Sequence, residues 1–128
     1  MDARLHPREA LALNDGEAHI IRNAGGIVTD DVIRSLTISQ RLLGTREIVL
    51  VHHTDCGMQK FSDDELEDTI ERETGTRPPL AMGAFTNLED SVRESIARLE
   101  ASPFLTHKDA IRGYVYDVET GGLREVGR

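Results

Sequence analysis

The stretch REIVLVHHTDCGM, residues 46–58, decides the fold. Ile48 to Val51 are apolar and mostly β-branched and run into two histidines, a pattern that predicts a strand over 46–53 covered on both faces, central in a parallel sheet. The polar residues and Gly57 that follow end it in a loop. Open α/β sheets bind their ligands beyond the carboxyl ends of the strands. His53 and Cys56 stand at that end, so they are the first candidates for chemistry.

Outward from this strand, helices and strands alternate. Upstream, Thr29 is placed to cap a helix with Asp30 and Asp31 in its first turn, and the apolar stripe Val32, Ile33, Leu36, Ile38, Leu42, Leu43 carries it to Gly44. AHIIRN (18–23) reads as a short strand, the glycines of RNAGG as the turn after it, and Pro7 as the start of a short helix before it. Downstream, SDDE (62–65) is a capping box that opens an acidic helix reaching about Glu73, stopped by Gly75 and by Pro78 and Pro79. Asn87 caps a further helix with Leu88, Val92, Ile96 and Leu99 at helical spacing. IRGYVYDV (111–118) reads as a strand, and TGG with LREV as a hairpin return. The sum is one α/β domain over 1–128, a mostly parallel sheet flanked by helices.

Composition narrows the function. With 128 residues and 38% hydrophobic content the chain can build one real core. Its 23 acidic against 15 basic side chains give a formal charge of −8, which repels phosphate backbones, so nucleic acid is not expected as a partner. No apolar segment is long enough to span a membrane. MDARLHPRE lacks the apolar stretch of a secretion signal, and the lone cysteine can form no disulfide within the chain, so the expected location is the cytoplasm.

The H-x-x-C pair His53 and Cys56 can place an imidazole nitrogen and a thiolate on one metal ion, and it can equally be a buried thiol beside a hydrogen-bonded histidine. A catalytic zinc takes three protein ligands and this pair supplies two. Asp2 and Arg4 read either as a solvated pair near a terminus or as part of a site. Asn23, Ala24, Gly25 and Gly26 offer backbone N–H groups to an anion, or simply end a strand. The spacing of His6, His19, His52 and His107 makes no ligand case.

Taken in order, MDARL (1–5), GEAHIIRNAGG (16–26), VTDDVIRSLTISQRLLGTREIVLVHHTDCGM (28–58), ETGTRP (73–78) and RGYVYDVETGGL (112–123) resemble the β-class carbonic anhydrase family over nearly the whole chain. The resemblance implies a zinc enzyme that interconverts carbon dioxide and bicarbonate, with His53 and Cys56 as metal ligands and Asp2 and Arg4 as the catalytic dyad beside them. The family's remaining ligand is a cysteine that would fall immediately before Met1, after a central strand and an N-terminal arm. The chain is thus expected to be N-terminally incomplete, short of one zinc ligand and inactive by itself, with Asp2 as a substitute ligand. It is also expected to carry a gap of roughly 10 Å in its sheet and to aggregate. The expected assembly is a homodimer or a tetramer. The alternative functions are an anion-binding protein without turnover and a non-catalytic dimer partner.

Overall fold

The computed structural model describes residues 1–128. Along the chain come α1 (Pro7–Ala10), α2 (Asp30–Leu43), β1 (Ile48–His53), α3 (Asp63–Thr74), α4 (Leu88–Ala101), β2 (Ile111–Tyr116) and β3 (Leu123–Glu125), with single 3-10 turns at Ala24–Gly26 and Gly57–Gln59. The three strands form one sheet in the order β1-β2-β3. β1 and β2 are parallel and pair over six residues from Ile48 with Ile111 to His53 with Tyr116, while β3 returns antiparallel to β2. This is an α/β fold in which the parallel ladder is the longer one.

Local chemistry explains the helix limits. Thr29, Ser62 and Asn87 each accept the backbone N–H three residues on, from Val32, Glu65 and Asp90 respectively. These side chains satisfy donors that the first helical turn leaves without partners. α2 and α3 end at Gly44 and Gly75, both at φ +77, a left-handed conformation that costs glycine nothing.

The core lies on one face of the sheet. Ile48, Leu50, Ile111 and Val115 are buried with Val92, Ile96 and Leu99 of α4 and with Val28 and Val32 at the start of α2. Gly113 makes the close approach possible: a Cβ there would sit 2.3 Å from Val92 Cγ1. Gln40 pins the loop before β2 by accepting the N–H groups of Thr106 and His107, both at 3.0 Å, and donating to the His107 carbonyl.

Two expectations from the sequence fail for one reason. β1 is an edge strand covered on one face, not a central strand covered on both, and Val49 on its other face is 43% exposed. Residues 18–23 form no strand, because they lie against no ladder; Ile20 and Ile21 stay exposed. An apolar run reports a preference for burial but not which element will supply it. The sheet ends at β1, whose outer backbone edge is unpaired, and residues 18–23 pair with no strand. The helix opened by Pro7 stops after a single turn at Ala10.

Candidate active site at the carboxyl end of β1

The turn after β1 is held by the neighbouring strand. Thr54 donates its N–H to the Tyr116 carbonyl at 2.9 Å, extending the parallel ladder, and its hydroxyl accepts the Val118 N–H at 3.0 Å. Asp55 then takes φ +51, a left-handed conformation that asparagine and aspartate tolerate better than other side chains. That reversal turns the chain back so that Cys56 is buried, only 4% exposed, and the 3-10 turn from Gly57 begins.

His53 is fixed in one orientation. Its Nδ1 lies 2.7 Å from the Thr54 carbonyl, which can only accept, so Nδ1 donates there and Nε2 is the nitrogen presented to the site. That nitrogen faces Asp2 Oδ2 at 3.7 Å. Asp2 in turn is gripped by Arg4, whose Nε donates to Oδ1 at 3.0 Å and Nη2 to Oδ2 at 2.8 Å, with the Arg4 backbone N–H also on Oδ1 at 2.8 Å. These bonds, the side-chain pair first, hold the Asp2 carboxyl well below the usual carboxylate range. The structure therefore joins Asp2, Arg4 and His53 around one point, with Cys56 in the same turn.

Does zinc fit? A thiolate and an imidazole held in place are a suitable donor pair. They remain two: no three His, Cys, Asp or Glu side chains converge on a common position. Asp2 lies beside His53 with Arg4 bonded to both of its carboxylate oxygens.

Asn23, Ala24, Gly25 and Gly26 form the wall next to this group. The Met1 amine donates to the Asn23 carbonyl at 2.6 Å, and Arg22 reaches the Asp2 carbonyl at 2.7 Å, so this loop and the first residues are stitched together. Gly25 and Gly26 have φ of +82 and +65. A Cβ on Gly26 would lie 2.8 Å from the Val51 carbonyl oxygen, so only glycine fits there. The N–H groups of Ala24 and Gly25 have no protein acceptor, and the buried Oδ1 of Asn23 has no donor.

Two residues without a ligand case in the sequence shape the site. His52, 1% exposed, points to the opposite face from His53: Nε2 donates to the Gly26 carbonyl at 3.0 Å, Nδ1 lies 2.8 Å from Ser91 Oγ, and the ring stacks on Phe85. The second is Asp55, which receives Arg4 Nη1 at 3.0 Å and Lys60 at 3.0 Å. An aspartate at the reversal between His53 and Cys56 is the one sequence signal that could have marked it.

His52 makes stability depend on pH. Burial, opposed by the Gly26 bond, pushes its pKa from 6.5 down to about 4. As pH falls the unfolded chain takes up this proton first, so the contribution is full above about pH 6.5 and is lost toward pH 4, a change of about 3 kcal/mol at most. Urea midpoints measured from pH 7 to pH 4.5 should fall more steeply for the native protein than for His52→Gln. Parallel curves would remove His52 from the acid response.

Comparison with known proteins identifies the family. The family model for carbonic anhydrase matches residues 1–80. Beta-carbonic anhydrase 1 of Mycobacterium tuberculosis is 56% identical over 98% of this chain and 77% of its own length. The carbon disulfide hydrolase of Saccharolobus solfataricus is 37% identical over 98% of this chain and 73% of its own. Among solved structures, carbonic anhydrase from Streptococcus mutans superposes with a TM-score of 0.92 at 52% identity, covering 99% of this chain and 77% of that one. With this family match and these identities, the chain belongs to the β-class carbonic anhydrase family and is by resemblance an enzyme of the lyase class.

Proposed function

We propose that this site hydrates carbon dioxide to bicarbonate and a proton, with His53 Nε2 and Cys56 Sγ as two of the three protein ligands that a catalytic Zn²⁺ takes. Zinc held there supplies a Lewis acid that makes water a nucleophile near neutral pH. Asp2 stays ionised because Arg4 neutralises it, and its Oδ2 accepts a hydrogen bond from the attacking water on the Nε2 side of His53, turning a lone pair toward the carbon of CO₂. The unpartnered N–H groups of Ala24 and Gly25 suit the oxygens of bicarbonate. The observation that carries the proposal is the Arg4-held Asp2 carboxylate 3.7 Å from His53 Nε2.

Carbon dioxide is preferred to carbon disulfide because identity is 56% to the carbonic anhydrase and 37% to the disulfide hydrolase. We also propose a homodimer or tetramer in the cytoplasm. Exposed Val49 on the outer face of β1 favours assembly, and no helix is long and apolar enough to cross a membrane.

The test is stopped-flow hydration of CO₂ by the purified protein with added Zn²⁺, alongside its zinc content. Catalysis above the uncatalysed rate, lost on chelation and restored by zinc, is the expected result. A zinc-saturated protein that neither hydrates CO₂ nor binds bicarbonate would overturn it, and turnover of carbon disulfide alone would replace the substrate.

A further inference from the structure

Asp2 and Arg4 are two residues apart, and their mutual bonds fix them to each other without fixing them to the turn that carries His53 and Cys56. The hydrogen bonds that cross from this segment to that turn run through Arg4 to a single residue. Nη1 donates to Asp55 Oδ2 at 3.0 Å, and Nη2 donates to the Asp55 backbone carbonyl at 3.1 Å. The other hydrogen bonds that tie the first residues to the rest of the chain, with Arg22 and with the Asn23 carbonyl, lead to the 22–26 loop. On its far side the Asp55 carboxylate is held by Lys60 Nζ, 3.0 Å from Oδ1. The guanidinium is a rigid planar fork, so a grip on one edge sets what the other edge presents.

We propose that Asp55 is a positioning residue: it holds Arg4, and through Arg4 it sets where the Asp2 carboxylate stands relative to His53. Its part in turnover rests on the CO₂ hydration proposed above. Asp55 touches neither substrate nor metal in this scheme. A simpler role competes with it, because φ +51 alone favours an Asp, Asn or Gly at this position.

Three side chains separate the two roles. Glycine keeps the left-handed backbone and removes the carboxylate. Asparagine keeps the backbone and an oxygen acceptor for Arg4. Alanine loses both. Misplacing a group that orients the attacking water costs turnover more than substrate binding.

For Asp55→Gly and Asp55→Ala, kcat for CO₂ hydration should fall about tenfold with KM and zinc content unchanged, and Asp55→Asn should return to within about twofold of the native protein. A second readout needs no activity: exchange of the Arg4 Nε–H with solvent, followed by NMR, should speed up about tenfold in Asp55→Gly and not in Asp55→Asn. Native turnover and native Arg4 exchange in Asp55→Gly would overturn the proposal and leave Asp55 a backbone role only. Accelerated Arg4 exchange in Asp55→Gly, combined with a zinc-loaded native protein that does not hydrate CO₂, would support the tether and overturn the reaction instead.

Discussion

Cys56→Ser should leave the protein folded, with its zinc content reduced to background and CO₂ hydration lowered by more than about 100-fold. Serine has nearly the volume of cysteine, and Cys56 packs at 4% exposure in a turn fixed by Thr54 and Asp55, so the change removes a thiolate without opening a large cavity. A serine hydroxyl stays protonated near neutral pH and is a poor zinc donor. Burial also keeps bulk water from taking the vacated position. His53→Ala should give the same result by removing Nε2, and the double variant should lose no further activity, since ligands that act as one unit do not add. Zinc content by elemental analysis, a thermal melt and stopped-flow hydration on the same samples separate loss of metal from loss of fold. An active, zinc-loaded Cys56→Ser protein would take Cys56 out of the ligand set.

Gly113→Val should destabilise the whole domain by about 3 kcal/mol or more, because overpacking a filled core forces backbone movement. The Cβ alone would stand 2.3 Å from Val92 Cγ1 and 3.0 Å from Ile96 Cδ1, and both side chains are already buried. Neither can swing aside, since Val92 is stiff at χ1 and Ile96 is enclosed in the core. α4 would have to lift from the sheet, at the rung where Gly113 pairs with Leu50. Domains of this size have about 5–15 kcal/mol of stability in total, so a melting temperature lower by about 10 °C or more is expected. Removing the opposing methyl groups with Val92→Ala should recover much of the loss for Gly113→Ala. A Gly113→Val protein melting within a few degrees of native would mean that α4 does not sit where described.

What the sequence disclosed was local. Thr29, Ser62 and Asn87 could be named as caps, and Gly44 and Gly75 as stops, because each acts within one turn of its own position. That the runs at 46–53 and 111–118 are strands of a mostly parallel sheet also followed from their apolar character and the helices between them; their pairing with each other came from the structure. The covering of β1 did not, because Val49 and Val51 are apolar whether or not anything packs on them. Nor did spacing within H-x-x-C reveal that Asp55 holds Arg4, a contact between residues that meet only after folding. The two adjacent histidines could be separated only by their surroundings: strand alternation sends His52 toward Ser91 and Gly26 and His53 toward Asp2.

The parallel pairing of β1 with β2 also sets the order in which the molecule can be made. Ile48 meets Ile111 only after the chain between them, with α3 and α4 inside it, has closed into a loop. Sequence-distant contacts of this kind slow folding, whereas the capped helices can form early. The Thr54 to Tyr116 bond continues this ladder, so the turn that presents His53 and Cys56 takes shape as the ladder closes. The geometry that brings His53 and Cys56 together therefore arises at the slow step and not before it.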